Sequence, residues 1–271
     1  LAHTNMIIDG TKPAPAATSR GAFILLEGVD RCGKTTQCAL LLKHLLSLSM
    51  AAVALRFPDR TTQVGKLIDG YLQSGADLDD RAVHLLFSAN RWEAAPSLAQ
   101  TLAEGSTIVC DRYAYSGVAF SSAKTKEDRK DGATSGGSAA EDLSIDWCKG
   151  PDVGLPAPDC VLFLDLSQDE AEKRGGYGGE RYEKRDLQIR VRQRFAELQE
   201  MDEKQGRVPW HIIDASKTVE EVTADIASVV DATIKRVQEG KPLAKMWDEG
   251  DFVLPTVGCS GDDAGDAKGE N

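Results

Sequence analysis

The sequence predicts an α/β fold in which a parallel β-sheet is covered by helices on both faces. Three observations indicate this fold: short apolar runs bounded by glycine or charge, longer stretches rich in helix formers, and a regular alternation of the two along the chain. Alternating strands and helices need crossover connections, which make the strands parallel and bury the sheet. In such folds ligands bind at the carboxyl ends of the strands.

The first half of the chain begins this alternation. Residues 22–26 form a short apolar run between two glycines, which has the length of a buried strand. A helix of good helix formers is expected over residues 34–49. The same reasoning predicts the remaining elements of this half: a short strand near 52–55, helices around 64–72 and 80–103, and a strand at 107–110.

The second half repeats the pattern, with expected elements in the order strand, long charged helix, strand and last helix, at 160–166, 186–204, 210–213 and 219–238. Three segments do not follow it. Residues 1–20 are expected to be a flexible extension, and they lack the regions of a secretory signal. Residues 121–142, rich in Ser, Gly, Ala and charge, are expected to be a flexible surface insertion, and the acidic tail 248–271 to be disordered. We therefore expect one domain over residues 21–247.

Composition and charge exclude several classes of protein. The 271 residues are 41% apolar, which is enough to build a core. Of the net charge of −11, the tail from residue 248 carries seven acids against one lysine, and the body has no broad basic field. Binding to nucleic-acid backbone needs such a field, so it is not expected. The longest apolar run is far shorter than the ~20 residues of a membrane-spanning helix, so we expect no membrane association.

The six cysteines are dispersed along the chain, and no two form a CxxC pair. This spacing argues against the common zinc sites and thioredoxin-like motifs. Several cysteines interrupt apolar stretches, which is typical of reduced core residues. We therefore expect a cytoplasmic protein, with the nucleus as the alternative.

Residues 28–35, GVDRCGKT, match the phosphate-loop pattern GxxxxGK[ST], with a predicted strand before the loop and a predicted helix after it. The glycines let successive backbone N–H groups face phosphate oxygens at the positive end of a helix dipole. Lys34 is expected to bridge the β- and γ-phosphates, and the Thr35 hydroxyl to ligate Mg²⁺. A bare turn between strand and helix needs neither side chain, so the pattern predicts a nucleotide site.

Asp30 and Arg31 occupy loop positions at which the general pattern accepts any residue. Arg31 is expected to lie against the γ-phosphate and to stabilise charge on the transferring group. Asp30 repels phosphate, so we expect it to orient a sugar hydroxyl, an arginine or a water; the alternative is a plain surface ion pair. The loop alone leaves GTPases, ATPases and kinases open, although the guanine-reading NKxD pattern is absent.

Three clusters of aromatic residues and arginine, at 57–60, 87–91 and 111–117, follow predicted strands or lie on a predicted helix. Phe87 and Arg91 are four residues apart and so share one helix face. An aromatic ring can stack on a nucleobase, and arginine binds phosphate or a base carbonyl, so the clusters predict a monophosphate acceptor site. The alternatives are core packing for the aromatic residues, solvated arginines, and helix capping for Asp111.

Five motifs in the same order along the chain resemble those of eukaryotic thymidylate kinases: LEGVDRCGKTT (26–36), RFPDR (56–60), HLLFSANRWE (84–93), DRYAYSGVAF (111–120) and PDVGLP (151–156). The resemblance implies the nucleoside monophosphate kinase version of the P-loop fold. It also implies transfer of the γ-phosphoryl of ATP to dTMP with Mg²⁺, giving dTDP for dTTP synthesis. A homodimer is implied as well.

The resemblance also implies roles for individual residues. Phe87 would stack under thymine and Arg91 would donate to the base, within an acceptor site made of Asp30, Phe57, Arg60, Phe87, Arg91, Arg112, Gly117, Phe120 and Tyr182. The donor site would consist of Gly28, Cys32, Gly33, Lys34, Thr35, Thr36, Arg174 and Ser216. Catalysis would rest on Arg31, Lys34, Arg112 and Asp111, with Thr35 and Asp111 at Mg²⁺.

Some alternatives remain open at this stage. Residues 174–183 resemble the family's Lid, whose glycines suit a hinge-like closure or else an ordinary loop. The candidates for the catalytic arginine are Arg31 and the two Lid arginines, Arg174 and Arg181. Cys32 is expected to be an inert small side chain, with sensitivity to oxidants as the alternative. The competing functions are another pyrimidine nucleoside monophosphate kinase and a nucleotide-binding regulatory protein without transferase activity.

Overall fold

A five-stranded parallel sheet forms the centre of the protein. The computed structural model describes residues 19–75, 77–125, 128, 143–174 and 180–256. The strands lie in the order β2-β3-β1-β4-β5, where β1 is Phe23–Glu27, β2 is Ala52–Arg56, β3 is Thr107–Asp111, β4 is Cys160–Asp165 and β5 is Trp210–Asp214. All four neighbouring pairs of these strands are parallel, which confirms the predicted sheet.

Helices connect and cover these strands. In the described residues they are α1 Lys34–Ser47, α2 Gln63–Leu72, α3 Asp80–Ala103, α4 Ala114–Ser122, α5 Ile145–Lys149, α6 Gln168–Lys173, α7 Arg185–Gln205 and α8 Val219–Gln238. The predicted strands and helices are confirmed, with ends that agree within two residues.

The sequence analysis did not predict α4, α5 and α6. Helix α4 is buried on almost every side, so its sequence lacks the alternation of polar and apolar faces that marks a surface helix. Helices α5 and α6 have only 5 and 6 residues, which is too short for a helical period to show.

Each face of the sheet carries its own apolar layer. On one face α1 and α8 pack on the strands through residues such as Leu41 and Ile226. On the other face α3, α4 and α7 pack through residues such as Leu98, Val118 and Phe195. Because both faces are covered, the loops that leave the carboxyl ends of the strands start from fixed positions.

The segment 121–142 differs at its start from the expected surface insertion. Ser121 and Ser122 close α4, and the Lys124 side chain is also buried. The Ser122 hydroxyl donates to the Val118 carbonyl oxygen at 2.8 Å, so polar composition here does not mean exposure. Residues 126, 127 and 129–142 of this segment lie outside the described residues, as do 1–18, 76, 175–179 and 257–271. The expected flexible extension, insertion and tail stay predictions.

Two further expectations bear on where the protein works. None of the described helices is both long and apolar enough to cross a membrane. The five cysteines in the described residues, Cys32, Cys38, Cys110, Cys148 and Cys160, are free and buried, as the sequence predicts for reduced core thiols.

Candidate active site

Two adjoining cavities lie beyond the carboxyl ends of β1, β2 and β3. The first, which we call the aromatic cavity, has a volume of about 130 Å³ and is lined by residues that include Phe57, Phe87, Phe120 and Tyr182. The second, which we call the loop cavity, has a volume of about 750 Å³ and is lined mainly by the phosphate-loop pattern and its surroundings. Six residues line both: Asp30, Arg56, Arg60, Arg112, Glu180 and Glu183.

The phosphate-loop pattern joins β1 to α1, as the sequence predicts. Gly33 precedes the helix with a φ of 100°, which glycine adopts without steric cost. The Lys34 ammonium is 5% exposed and donates to the carbonyl oxygens of Gly28 at 3.0 Å and Val29 at 2.6 Å. It also lies 3.4 Å from the Cys32 sulfur. The lysine is therefore held by the loop itself, at the wall of the loop cavity.

Arg112 lies at the border between the two cavities. Its guanidinium pairs with the Asp30 carboxylate and donates to the Gly28 carbonyl oxygen at 3.2 Å and the Ser116 hydroxyl at 3.1 Å. Burial alone would lower the pKa of Arg112, but the nearby carboxylates of Asp30, Asp111 and Glu27 outweigh it and raise that pKa. A permanent positive charge thus stands where the two cavities meet.

Glu27 was not singled out in the sequence analysis, yet it fixes the turn that carries Arg112. Its carboxylate accepts hydrogen bonds from the backbone N–H groups of Tyr113 and Ser116, both at 3.0 Å, and from the Ser116 hydroxyl at 2.6 Å. Burial raises the pKa of Glu27, and the hydrogen bonds from Ser116 oppose that rise. Its position as the last residue of β1, directly before the loop, was the available sequence signal.

The inner end of the aromatic cavity is built around Arg91. The Arg91 guanidinium donates to both carboxylate oxygens of Asp152, at 3.1 and 2.5 Å, and the two side chains are 2% and 0% exposed. A Cβ atom at Gly117 would lie 2.8 Å from an Arg91 guanidinium nitrogen. The bare backbone of Gly117 therefore makes the room in which Arg91 lies.

Described parts of the Lid contact both cavities through carboxylates. Glu180 pairs with Arg60 at 2.9 Å, and Glu183 pairs with Arg31 at 2.9 Å. Both arginines belong to the set that the sequence predicts for phosphate or transition-state contacts. Lid carboxylates therefore occupy part of the guanidinium surface to which phosphate would bind.

The two Lid arginines point to different places. Arg174 donates to the Arg31 carbonyl oxygen at 3.3 Å and to the Ala215 carbonyl oxygen at 2.6 Å, and it lines the loop cavity. Arg181 instead lies 4.2 Å from the centroid of the Tyr71 ring and donates to the Tyr71 carbonyl oxygen at 3.0 Å. Arg181 does not line either cavity.

Thr35 and Asp111 come together at the floor of the loop cavity. The Thr35 hydroxyl donates to Asp111 Oδ2 at 2.7 Å, while Asp111 Oδ1 is buried and has no hydrogen-bond partner among the described residues. Arg56 lies 3.8 Å from the same carboxylate. In the part of the chain that the structure describes, no three His, Cys, Asp or Glu side chains gather as a metal-ligand set.

The structure brings most of the predicted site residues together. All nine residues of the expected acceptor site line the aromatic cavity: Asp30, Phe57, Arg60, Phe87, Arg91, Arg112, Gly117, Phe120 and Tyr182. Of the expected donor and catalytic residues, Arg31, Cys32, Gly33, Lys34, Thr35, Thr36, Asp111, Arg112 and Arg174 line the loop cavity. Gly28 and Ser216 do not line it, although Ala215 and Lys217 on either side of Ser216 do.

The sequence analysis gave no role to some residues that line the cavities or contact their lining. Arg56 lines both cavities, and its position at the end of β2 was the available signal. Gln188 on α7 accepts from the Asp30 N–H at 3.0 Å and donates to the Asp30 carboxylate at 2.6 Å. A glutamine within a long charged helix carries no local signal for such a contact.

Comparison with known proteins gives a consistent result. The family model for thymidylate kinase matches residues 26–131 and 133–226. The chain is 47% identical over 228 residues to a thymidylate kinase of Danio rerio, with 84% of this chain and 98% of that protein covered. It is 46% identical over 231 residues to a thymidylate kinase of Homo sapiens, with 85% and 99% covered.

A solved structure supports the same grouping. The thymidylate kinase of Candida albicans superposes with a TM-score of 0.72 at 37% sequence identity, covering 84% of this chain and 99% of that one. The likeness therefore extends over the whole of that solved chain.

Proposed function

The chain belongs to the thymidylate kinase family, and from this premise we propose how its two cavities divide the work of phosphoryl transfer. The chain is an ATP-dependent kinase that phosphorylates dTMP to dTDP. We assign dTMP to the aromatic cavity and ATP to the loop cavity. The observation that carries this assignment is that all nine expected acceptor residues line one cavity, which shares Arg112 with the other.

On the acceptor side, aromatic and cationic groups are matched to the two ends of dTMP. Phe87 offers a ring for stacking on the base, and Arg91, fixed by Asp152, offers a donor near it. Arg60 and Arg112 are placed for the phosphate end. Asp30 would act indirectly, because its carboxylate holds Arg112.

On the donor side, the loop amides and Lys34 grip the β- and γ-phosphates, and Arg31 stabilises charge on the group in transfer. Phosphoryl transfer has a loose transition state, so catalysis rests on positioning and charge neutralisation. No covalent intermediate with the protein is needed. Of the three candidate arginines, Arg31 and Arg174 line the loop cavity, whereas Arg181 is held against Tyr71 and lines neither cavity. The place of Arg31 within the phosphate-loop pattern favours it over Arg174.

Thr35 and Asp111 fit a divalent cation, because a hydroxyl and a buried carboxylate oxygen without a partner stand side by side. We propose that they hold Mg²⁺, directly or through its bound water. Magnesium usually keeps few protein ligands and takes the rest from phosphates and water. Bound there, Mg²⁺ supplies positive charge to the phosphates. We expect Asp111→Asn to raise the Mg²⁺ concentration for half-maximal rate by about tenfold, measured by Mg²⁺ titration at saturating substrates.

We propose a homodimer formed through α2 and α3. Leu67 on α2 and Leu85 and Trp92 on α3 are 59%, 48% and 42% exposed, and the last two are seven residues apart, on one helix face. Large exposed apolar groups on neighbouring helices are typical of association surfaces. Leu85→Glu is expected to shift the mass measured by light scattering from dimer to monomer. A wild-type mass of one chain would contradict the proposal.

We also propose that the protein works in a reducing compartment, the cytoplasm or the nucleus. Burial raises the pKa of the Cys110 thiol well above its usual range and that of Cys160 to about 12, so these thiols are unreactive. Imaging of a fluorescent fusion tests the compartment.

The decisive experiment is an acceptor panel with ATP and Mg²⁺ in a coupled assay for ADP release. We expect kcat/KM to be highest for dTMP among dTMP, dUMP, UMP and CMP. A higher value for UMP or CMP would point to another pyrimidine nucleoside monophosphate kinase. ADP release that does not respond to any acceptor would favour a regulatory nucleotide-binding protein.

A further inference from the structure

A buried lysine lies behind the aromatic cavity. Lys124 follows the end of α4 and is 5% exposed, yet it does not line the cavity. Its ammonium donates to the Asp80 carboxylate at 2.8 Å and to the Tyr71 hydroxyl at 3.1 Å. A lysine is buried at a large desolvation cost unless it is paired, so its presence here calls for these contacts.

The same ammonium also faces two aromatic rings. It lies 5.3 Å from the ring centroid of Tyr71 and 5.1 Å from that of Tyr182, both within the range of a cation–π interaction. Burial would lower the pKa of Lys124, but the tyrosine hydroxyls and the Asp80 carboxylate outweigh it and raise that pKa. The group facing the rings is therefore a cation at any pH at which the protein works.

Tyr182 is the member of this group that reaches the cavity. Its ring lines the aromatic cavity and packs 5.5 Å from the ring centroid of Phe120 and 6.0 Å from that of Tyr71. Its carbonyl oxygen accepts from the Gln188 amide at 2.9 Å. Tyr182 belongs to the Lid, and Asp80 is the first residue of α3. Through its contacts with these two residues, Lys124 connects the end of α4 to the Lid and to α3.

We propose that Lys124 is a positioning residue for the acceptor: its ammonium holds the Tyr182 ring against Phe120 and so shapes the wall on which dTMP packs. The inference rests on the assignment of dTMP to the aromatic cavity. The ion pair with Asp80 accounts for the burial of Lys124, whereas the proposed role adds an effect on acceptor binding. The loop cavity lies outside its reach, because neither Lys124 nor Tyr182 lines it.

The test compares Lys124→Met, which keeps the length and removes the charge, with Lys124→Arg, which keeps the charge. We expect Lys124→Met to raise the KM for dTMP about tenfold, with less than about a twofold change in the KM for ATP and in kcat. Lys124→Arg is expected to restore most of the lost affinity. Where Lys124→Met fails to fold, Lys124→Gln carries the same comparison, because its amide can still bond to Tyr71.

A double-mutant cycle with Tyr182→Leu tests whether Lys124 acts through that ring. If it does, adding Lys124→Met to Tyr182→Leu leaves the KM for dTMP unchanged within about twofold. Additive losses would overturn the proposal, as would equal changes in the KM values for dTMP and ATP. Lys149→Met is the matched control: it removes an ammonium that faces the ring of Trp247 at 5.6 Å and lines neither cavity, so its KM for dTMP should stay near the wild-type value.

The two proposals fail in different ways. If the wild-type protein does not phosphorylate dTMP, the proposed function is wrong. If it does, and Lys124→Met keeps the wild-type KM for dTMP, only the role of Lys124 is wrong.

Discussion

The loop cavity and the aromatic cavity are built by different means. Much of the loop cavity comes from one continuous stretch, residues 30–37, which offers backbone groups together with the side chains of Arg31, Lys34 and Thr35. The aromatic cavity collects its side chains from the loop after β2, from α3, from the turn before α4 and α4 itself, and from the Lid. Under the proposed assignment, phosphate binding depends on a local motif, whereas the choice of acceptor depends on tertiary packing. Substitutions in the two cavities should therefore separate ATP effects from dTMP effects.

The largest effect is expected from Lys34→Ala in the loop cavity. We propose that this ammonium is the main cation that the loop supplies to the donor phosphates, so we expect kcat to fall about 1,000-fold. Lys34 does not line the aromatic cavity. The Kd for dTMP, measured by calorimetry, is therefore expected to stay within about twofold of the wild-type value. A large loss of dTMP affinity would show that the two cavities are not separable.

The next effect is expected from Arg31→Ala. We expect kcat to fall at least about 100-fold while nucleotide binding persists, because this arginine acts mainly in the transition state. Arg174→Ala is the matched comparison from the Lid, and a smaller loss is expected for it because Arg174, unlike Arg31, lies outside the phosphate-loop pattern. Both losses are measured by steady-state kinetics. A larger loss of kcat in Arg174→Ala than in Arg31→Ala would assign the catalytic role to the Lid.

A smaller effect, on stability, is expected from His84 behind the aromatic cavity. Its Nε2 bonds to the Cys148 carbonyl oxygen and its Nδ1 to the hydroxyl of Ser121, both at 2.8 Å. The carbonyl can only accept, so Nε2 carries a proton. Burial, with Arg91 nearby, lowers the pKa of His84 from 6.5 to about 4.

The sign of the pH effect follows from that shift. Between pH 6.5 and 4 the unfolded chain takes up a proton that the folded protein does not bind, so this contribution to stability is complete above pH 6.5 and lost towards pH 4. At pH 5 the loss is about 2 kcal/mol. The free energy of unfolding is measured by urea denaturation at pH 8 and pH 5. We expect its fall between these pH values to be smaller by this amount in His84→Gln than in the wild-type protein. Equal falls in both proteins would show that His84 titrates normally.

The smallest effect is expected from Gly117→Ala in the aromatic cavity. The new methyl group would lie 2.8 to 2.9 Å from two guanidinium nitrogens of Arg91, which Asp152 keeps from moving away. We expect the KM for dTMP to rise about tenfold with an unchanged KM for ATP. Gly70→Ala on α2 is the control, because nothing lies within 4 Å of its added methyl group. A dTMP effect as large in the control would remove Arg91 as the cause.

The same contrast explains what could be predicted from the sequence. The phosphate-loop pattern is a local signal, since its residues are neighbours in the chain, and the structure places Lys34 and Thr35 at one cavity as expected. The long helix α8 was predictable because its apolar residues recur with a helical period. Residue types and spacing predicted the acceptor site through the clusters at 57–60, 87–91 and 111–117, whereas the roles of its individual residues came from resemblance to known motifs.

The contacts that the sequence analysis missed are those between distant residues. Glu27 reaches the turn after β3, and Gln188 reaches the phosphate-loop pattern across more than 150 residues of chain. Lys124 lay within a segment whose polar composition indicated the surface, whereas tertiary packing supplied it with a carboxylate and two rings. No local pattern encodes such partners, because they depend on which elements become neighbours.

Arg60 pairs with Glu180 and Arg31 with Glu183, so we expect ligand binding at these arginines to be an exchange of partners. A phosphate that bound to either guanidinium would displace a carboxylate, and each arginine would keep one anionic partner. Such a swap releases few counterions, and we expect the affinity to vary only weakly with ionic strength. The carboxylates of Glu180 and Glu183 would thus compete with phosphate for these arginines. An inhibitor with a carboxylate group would make the same contact that the two glutamates make.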